Sequence, residues 1–206
     1  VNRRLFQYHR FLHEVRPLIA RIAEVEGRPA RLLELASGAG EFSLELARLA
    51  TERSLPVEVT GSDIVPAYVE GANAEAAHRA LPARFRVLNA FDLDLQPGEV
   101  DLVFIAQSMH HFEPGQLAMM IAQSERAGAR HFVGLDGRRS LFLLGFLPTV
   151  GLTTGDPKFT HDAFVSARRF YAEAELALIA RVAAPTAYVE ARAQHPSISV
   201  LQVDFR

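Results

Sequence analysis

A glycine-rich turn stands near the start of the sequence, between an apolar run and a helical pattern. The run from Leu32 to Leu35 is apolar except for Glu34, and SGAG follows it, with Gly38 and Gly40 two positions apart. Glycine lets the backbone approach a ligand closely, and free amides at the start of a helix favour an anionic group. The turn therefore predicts an anion-binding loop, although a tight connection without a ligand is a second interpretation.

Two later segments carry polar side chains that suit a nucleoside. Asp63 in TGSDI follows a second apolar run, and its carboxylate could accept hydrogen bonds from both hydroxyls of a ribose. The segment 89–92 (NAFD) follows a third run, where backbone and carboxylate could hold an adenine edge while Phe91 offers an apolar wall. In this order the three segments predict an adenosine-shaped ligand. Asp63 could instead cap a helix that begins near Pro66.

Three histidines are candidates for catalysis. His110 and His111 follow a fourth apolar run, and His161 lies in a later insert. Imidazole titrates near neutrality and therefore suits removal of a proton from a weakly acidic hydroxyl. Structural interpretations remain open as well: the pair could end a strand-to-helix turn before Pro114, and His161 with Asp162 could begin a helix.

Other charged groups are less specific. His9 and His13 lie one helical turn apart, as two metal ligands would, but no carboxylate-rich motif accompanies them. No metal site is therefore predicted. Four arginines could either hold an anionic substrate or be solvated: Arg138, Arg139, Arg168 and Arg169.

Short apolar runs alternate with helical patterns along most of the chain. The first 25 residues predict an amphipathic helix that ends at Gly27 and Pro29. Strands are expected over 31–36, 57–61, 85–88, 100–106 and 131–135, and helices over 41–53, from Pro66, and over 116–126. Such alternation is typical of a parallel sheet with helices on both faces. The fold class is therefore α/β.

The C-terminal third departs from this alternation. A helix is expected over 171–182, and AYVEARAQ and ISVLQVDFR then predict two antiparallel strands. The segment 138–169 fits no element, and its apolar part is too short and interrupted to cross a bilayer. We expect it to close, with the first helix, over a ligand, although it could instead form a dimer interface or contact lipid. The side chains that favour an aromatic ligand there are Phe142, Phe146, Leu147 and Phe159.

The composition excludes several classes of protein. With 206 residues, 49% of them hydrophobic and 22% charged, the chain suits one globular domain. A net charge of -2 gives no general attraction to phosphate backbones, so no nucleic-acid partner is expected. The absence of cysteine excludes disulfides, thiolate metal sites and thiol nucleophiles. Because no signal peptide or membrane-spanning run is evident, a cytoplasmic protein without stable membrane insertion is expected.

The motifs ELASGAGEFS, GSDI, NAFDLD and DLVFIAQSMHHF together resemble, in this order, those of class I S-adenosylmethionine-dependent methyltransferases. The resemblance covers about 31–136, and the C-terminal strand pair resembles strands 6 and 7 of the family. It implies a Rossmann-like, doubly wound sheet of seven strands, mostly parallel, in a single domain over 1–206. QSMHHF and THDAFVSARRFY resemble small-molecule methyltransferases of the ubiquinone/menaquinone type and those of polyketide pathways.

The resemblance also implies roles for individual residues. Glu34 and Gly38 would approach the methionine part of S-adenosylmethionine, and Asp63 would bind its ribose. Asp92 would meet the adenine amino group, and Gln107 would lie beside the sulfonium. The implied cofactor site, in which Ala36 replaces the family's first glycine, comprises Glu34, Ala36, Ser37, Gly38, Gly40, Asp63, Ile64, Ala90, Phe91, Asp92 and Gln107.

The expected activity is methyl transfer from S-adenosylmethionine to a small aromatic or polyketide/quinone-like acceptor, with oxygen favoured over carbon. One alternative is a non-catalytic S-adenosylmethionine-binding or regulatory protein, because the binding motifs are clearer than the catalytic ones. A nicotinamide-dependent oxidoreductase is the other. It is disfavoured because Ser43 replaces the third glycine of the dinucleotide fingerprint, and Thr154 stands where a Tyr-Lys pair with Lys158 needs tyrosine.

Overall fold

The computed structural model describes residues 2–141, 149, 161, 165–195 and 197–205. Its strands are β1 (Ala30–Glu34), β2 (Val57–Asp63), β3 (Ala83–Val87), β4 (Leu102–Ala106), β5 (His131–Gly137), β6 (Tyr188–His195) and β7 (Ile198–Asp204). They form one sheet in the order β3-β2-β1-β4-β5-β7-β6. Strands β1 to β5 are parallel, whereas β7 is antiparallel to both β5 and β6. The predicted seven-stranded, mostly parallel α/β sheet is confirmed.

The helices cover both faces of this sheet. They are α1 (Asn2–Glu26), α2 (Glu41–Glu52), α3 (Pro66–His78), α4 (Pro114–Arg126) and α5 (Glu173–Ala183). The 3-10 turn Met109–His111 was not predicted and lies between β4 and α4. Strand β1 ends two residues earlier than predicted because Ala36 has a positive φ of 52°, which extended backbone does not allow.

Alternate residues of the central strands belong to two different cores. In β4, Phe104 contributes to the core beneath α1, α2 and α3, whereas Val103 and Ile105 contribute to the core beneath α4 and α5. Successive side chains of a strand point to opposite faces, so a strand covered on both sides must be apolar throughout. This requirement explains why LVFIA is a continuous apolar run.

Helix α1 packs on the first of these cores. Phe11, Leu12, Val15 and Ile19 are fully buried, at the spacing that puts side chains on one face of a helix. Phe11 contacts Phe42 of α2, with ring centroids 5.1 Å apart. The amphipathic pattern of the first 25 residues therefore predicted both the helix and its buried face.

The opposite, amino-terminal edge of the sheet is held by an ion pair. Arg28 binds both oxygens of Asp101 at 2.7 and 2.9 Å, and the backbone N–H of Arg31 donates to the same carboxylate at 2.8 Å. Burial raises the pKa of Asp101, but the Arg28 hydrogen bond and the Arg31 amide outweigh it and leave the pKa below its usual value. This carboxylate has a structural role far from the carboxyl ends of the strands.

The described helices offer no membrane span: none of them combines the length and the apolar character that crossing a bilayer requires.

Candidate functional site at the carboxyl edge of the sheet

The crevice between β1 and β4 lies where the strand order reverses. From β1 the chain continues to β2 and β3 on one side, while β4 and β5 lie on the other. In open α/β sheets, ligands bind at this point, outside the carboxyl ends of the strands. A cavity of about 320 Å³ lies there, lined in part by Glu34, Ala36, Ser37, Ala106, Gln107 and Ser108. Four of the predicted cofactor residues therefore line this cavity: Glu34, Ala36, Ser37 and Gln107. A fifth, Gly38, lies between two residues that line it, Ser37 and Ala39.

The backbone is strained on both sides of this crevice. Ala36 after β1 has a φ of 52°, and Gln107 after β4 has a φ of 59°. For a residue with a side chain this conformation costs about 1 to 2 kcal/mol. Hydrogen bonds hold both turns in place, from Ser37 N–H to the Ser62 carbonyl at 2.8 Å and from Gln107 N–H to the Leu135 carbonyl at 2.7 Å. Strain of this kind clusters at ligand sites.

The two glycines of the turn have different surroundings. Gly40 has a φ of 78° and begins α2, and a Cβ there would lie 2.5 Å from the Phe85 ring. Gly38 also has a positive φ, but a Cβ there would meet no described atom within 4 Å. Gly40 is therefore required by packing, whereas the described residues leave room for a side chain at Gly38.

Asp63 joins the turn after β1 to the turn after β2. It is 9% exposed and accepts hydrogen bonds from Gly38 N–H at 2.8 Å and Val65 N–H at 3.0 Å. The N-cap residue of α3 is Val65, so Asp63 does not occupy the cap position that the alternative interpretation gave it. A carboxylate has about four lone-pair positions, so two remain after these bonds for a ligand with two hydroxyls.

The amides of the glycine turn are engaged within the protein. Gly38 N–H donates to Asp63, and Gly40 N–H donates to the Ser37 carbonyl at 2.9 Å. These two amides therefore do not form the open anion site that the glycine pattern predicted. The hydroxyl of Ser37 is different: it is buried and has no hydrogen-bond partner among the described residues. Leaving such a group unsatisfied costs about 1 to 3 kcal/mol, which a polar ligand atom would relieve.

Glu34 is a buried carboxyl at the base of the same cavity. It is 1% exposed, and Ser43 Oγ donates to it at 2.5 Å. Burial raises the pKa of Glu34 to about 8, although the hydrogen bond from Ser43 acts in the opposite direction. The side chain is therefore largely protonated at pH 7, and a cationic ligand group beside it would favour the carboxylate.

This raised pKa predicts a pH-dependent stability. The native state holds the Glu34 proton up to about pH 8, whereas an unfolded chain releases it near the ordinary value of 4.5, so unfolding becomes easier as pH rises between these values. We expect Glu34→Gln to have a larger free energy of unfolding than the wild type at pH 8, by on the order of 1.4 kcal/mol for each unit of separation. Urea denaturation at pH 4.5 and 8 measures this. An equal difference at both pH values would contradict the raised pKa.

The residues predicted to contact adenine lie at the ends of β2 and β3. These ends are neighbours, because Asp63 pairs with Val87. Ile64 is 62% exposed, Ala90 is half-buried, and Asp92 is exposed. The Phe91 ring is half-buried and meets Phe112 edge-on, with centroids 5.9 Å apart. An exposed isoleucine and a half-buried ring, which follow two neighbouring strands, suit a flat apolar ligand.

His110 has a buried partner that sequence reasoning missed. Its Nδ1 lies 2.9 and 3.1 Å from the two oxygens of Asp136, the next-to-last residue of β5. The ring of His111 lies 4.1 Å from that of His110, and partial burial, followed by the neighbouring His110, lowers the pKa of His111. His110 therefore has a carboxylate partner, and its ring lies close to that of His111.

Several predicted residues lie away from these contacts. Arg138 pairs with Glu173 at 2.7 Å, and Arg139 pairs with Glu175 at 2.8 Å, so both arginines bind α5. His161 is exposed, and the segment around it lies largely outside the described residues, as do Phe142, Phe146, Leu147 and Phe159.

The other histidine pair, His9 and His13, lies on α1. His9 Nδ1 contacts Arg53 at 3.0 Å, and the His13 side chain is exposed. Within the described ranges, no group of three or more His, Asp or Glu side chains could hold a metal ion.

Tyr8 was also missed, because the α1 pattern indicated only a packing role. Its side chain lines the cavity and meets Phe42 edge-on, with centroids 4.9 Å apart. Asp136 and Ser43 were missed as well, because each acts through a side-chain contact with a residue of another element. Asp136 at the end of a strand was the one position that a search for strand-end carboxylates could have found.

Solved structures share this fold. A SAM-dependent methyltransferase from Aquifex aeolicus matches with a TM-score of 0.62 at 16% identity, over 86% of this chain and 82% of that one. The chain therefore shares the overall fold of that structure.

Sequence comparison identifies the domain. Residues 32–131 match the family described as "Methyltransferase domain". Demethylmenaquinone methyltransferase of Deinococcus radiodurans is 34% identical over 84 residues, which are 41% of this chain and 33% of that protein. The 3-methylorcinaldehyde synthase of Phoma sp. is 31% identical over 115 residues, 54% of this chain and 4% of that protein. The chain thus spans a third or less of the length of these two relatives. Its residues 32–131 match a methyltransferase domain, as the motifs predicted.

Proposed function

We propose that this protein transfers a methyl group from S-adenosylmethionine to a small acceptor. The observation that carries the proposal is the crevice between β1 and β4. It brings together the buried carboxyl of Glu34 and the unpartnered hydroxyl of Ser37, with Asp63 anchored beside them. These groups suit the amino-acid part and the ribose of the donor.

The residues at the crevice fit the donor group by group. Glu34 would bind the ammonium group, and the Ser37 hydroxyl would bind the carboxylate. The remaining lone pairs of Asp63 would accept the two ribose hydroxyls. Ile64 and Phe91 would cover the adenine ring, whose amino group would meet Asp92. The donor therefore extends from the end of β1 towards the ends of β2 and β3.

The chemistry depends mainly on positioning. When bound, the sulfonium supplies an electrophilic methyl group and a neutral thioether as leaving group. Gln107, whose strained backbone is fixed by the Leu135 carbonyl, would orient the region beside the sulfonium. Tyr8 and Phe42 would exclude water from the cavity. Holding two reactants in line corresponds to effective molarities of about 10⁵ to 10⁸ M.

For the acceptor we propose an aromatic or polyketide/quinone-like molecule, methylated on oxygen in preference to carbon. His110 and His111, with His161 as a third candidate, could remove the proton of a hydroxyl. The names of the two sequence relatives, a demethylmenaquinone methyltransferase and a 3-methylorcinaldehyde synthase, support acceptors of this kind. The apolar segment 138–169 remains the predicted cover of the acceptor site.

Isothermal titration calorimetry tests donor binding. We expect heat on titration with S-adenosylmethionine and with S-adenosylhomocysteine, and none with NADH. S-adenosylhomocysteine formation is then measured with a panel of phenols, naphthols and hydroquinones. Binding without turnover across the panel would favour a non-catalytic binding protein. Binding of NADH in place of both donor compounds would contradict the proposal.

A further inference from the structure

Asp136 restricts the tautomer of His110. Its two oxygens lie 3.1 and 2.9 Å from the His110 Nδ1, and they also accept the backbone N–H of His110 at 2.9 Å and that of Gly137 at 2.7 Å. Asp136 is 5% exposed. Because an ionised carboxylate only accepts hydrogen bonds, Nδ1 must carry a proton. In the neutral ring the free lone pair then lies on Nε2, the nitrogen that could take a proton from a ligand.

Aromatic contacts hold the His110 ring in this orientation. Phe170 meets the ring edge-on, with centroids 5.0 Å apart, and the His111 ring lies 4.1 Å away. Phe170 occupies the space beside Gly137, where a Cβ would overlap the phenyl ring. With Asp136 on one side and two rings on the others, rotation of His110 is strongly limited.

The His110 ring lies next to the methyl-transfer crevice. Ser108 lines the cavity, and its hydroxyl lies 3.4 Å from the Ala36 carbonyl, which joins the ends of β4 and β1. Only Met109 separates Ser108 from His110, so their Cα atoms are at most about 7 Å apart. Gln107, the residue proposed to lie beside the sulfonium, is on the same turn. The Asp136–His110 pair is therefore at the reacting end of the proposed donor site.

A second histidine–aspartate pair serves as a comparison, because it lies at another place in the sheet. His131 Nδ1 lies 2.8 Å from Asp204 Oδ1, and Gln202 also donates to Asp204. This pair is at the amino-terminal start of β5, whereas Asp136 is near its other end, about 17 Å away along the strand. The two pairs have similar chemistry, but of the two only Asp136–His110 lies close in the chain to a residue that lines the crevice, Ser108.

We propose that Asp136 is a positioning residue that holds His110 as the general base of the reaction, and that the acceptor therefore presents a weakly acidic hydroxyl. This inference rests on the proposed function. His110 Nε2 takes the hydroxyl proton, and the acceptor oxygen forms a bond to the methyl carbon. The carbon–sulfur bond breaks and its electron pair stays on sulfur. Asp136 stabilises the imidazolium without taking the proton, which passes from His110 to water.

The described charged groups around the ring come from three elements. Asp136 belongs to β5, His111 to the same 3-10 turn, and Arg169 to the helical segment 165–169, from which it acts on His111. The positive charge of Arg169 would also attract an acceptor whose oxygen becomes negative. A phenol suits this site better than an amine, which would gain positive charge on methylation.

The experiment compares two acceptors that differ in acidity. The phenol, naphthol or hydroquinone most active in the panel is assayed beside its nitro-substituted form, which is already ionised at pH 8. With the parent compound, we expect His110→Gln to lower kcat about 10²- to 10⁴-fold, and Asp136→Asn about 10- to 10²-fold. KM and the Kd for S-adenosylhomocysteine should change less than threefold. With the nitro compound, both losses should shrink at least tenfold.

Two controls separate this role from a structural one. Asp204→Asn removes the charge from the other pair and is expected to leave kcat unchanged for both acceptors. Long-range ¹H–¹⁵N correlation spectra of histidine-labelled protein should show His110 protonated on Nδ1 in the wild type, with a mixture of tautomers in Asp136→Asn. This readout does not depend on turnover and identifies the variant as folded.

Three results would contradict the inference, and a fourth would contradict the proposed function itself. Equal losses with both acceptors would mean that Asp136 only maintains structure, and unchanged kcat would mean that His110 is not the base. Turnover of no hydroxyl compound, with S-adenosylhomocysteine still bound, would overturn the inference but leave methyl transfer to another type of acceptor. Failure of S-adenosylhomocysteine to bind the wild type would instead overturn the proposed function.

Discussion

Replacing Asp63 by alanine is expected to weaken binding of S-adenosylhomocysteine about 100-fold or more. The variant loses the proposed acceptor for two ribose hydroxyls, and each hydrogen bond to a charged group contributes about 1.5 to 3 kcal/mol. A loss of about 3 kcal/mol corresponds to slightly more than 100-fold in Kd. It also releases Gly38 N–H, which Asp63 binds at 2.8 Å, so the turn after β1 becomes less ordered. Calorimetric titration measures the effect.

Asp101→Ala is the matched control for this prediction. Asp101 is 3% exposed and also accepts a backbone amide, that of Arg31, but it lies at the opposite edge of the sheet. We expect this variant to lower Tm while its Kd for S-adenosylhomocysteine stays within threefold of the wild-type value. If Asp63→Ala binds S-adenosylhomocysteine as tightly as the wild type, the donor does not lie along the ends of β1 and β2.

The Gly40→Ala substitution is expected to reduce stability more than Gly38→Ala, because only the Gly40 position is closely packed. The φ of 78° at Gly40 costs a residue with a side chain about 1 to 2 kcal/mol. A Cβ would also lie 2.5 Å from Phe85 and 2.8 Å from Ala72, and overpacking of a core costs about 1 to 3 kcal/mol. We expect a total loss of about 2 to 5 kcal/mol. For a chain of this size that lowers Tm by about 4 to 20 °C in a thermal melt.

Two further variants check the cause of that loss. At Gly71 in α3, an added Cβ would meet no described atom within 4 Å. Because Gly71→Ala also removes a glycine from a helix, it should raise the free energy of unfolding by about 0.5 to 1 kcal/mol. The double variant Gly40→Ala with Phe85→Leu should recover part of the loss, since the leucine side chain can move away from the new methyl group. A Gly40→Ala protein as stable as the wild type would contradict the close packing of the turn on β3.

The fold was largely predictable because its signals are local. The alternation of apolar runs and helical patterns depends on the periods of strand and helix, which the chain shows without any tertiary information. The run LVFIA predicted a strand buried on both faces, and the α1 spacing predicted its buried side. Strand limits were wrong where local strain intervened, as at Ala36, because a positive φ is not visible in a residue that normally avoids it.

For the candidate site, the sequence predicted which residues lie at the strand ends but not the contacts that their side chains make. Glu34, Asp63 and Gln107 were placed correctly at strand ends, and the carboxyl ends of parallel strands meet at one edge. The sequence did not show that Asp63 binds the Gly38 amide, which removes that amide from the expected anion site. Neither did it show that Glu34 is fully buried, the cause of its raised pKa.

The sequence by itself determined the order of the elements, the faces that they bury, and the motifs of a class I methyltransferase domain. Only the tertiary structure decided which polar groups meet. Asp136 and His110 are 26 residues apart and touch because β4 and β5 are neighbours in the sheet. The second pair, His131 and Asp204, depends in the same way on the antiparallel placement of β7 beside β5. Periodicity is a property of a few successive residues, whereas such contacts are set by strand order and by packing between elements.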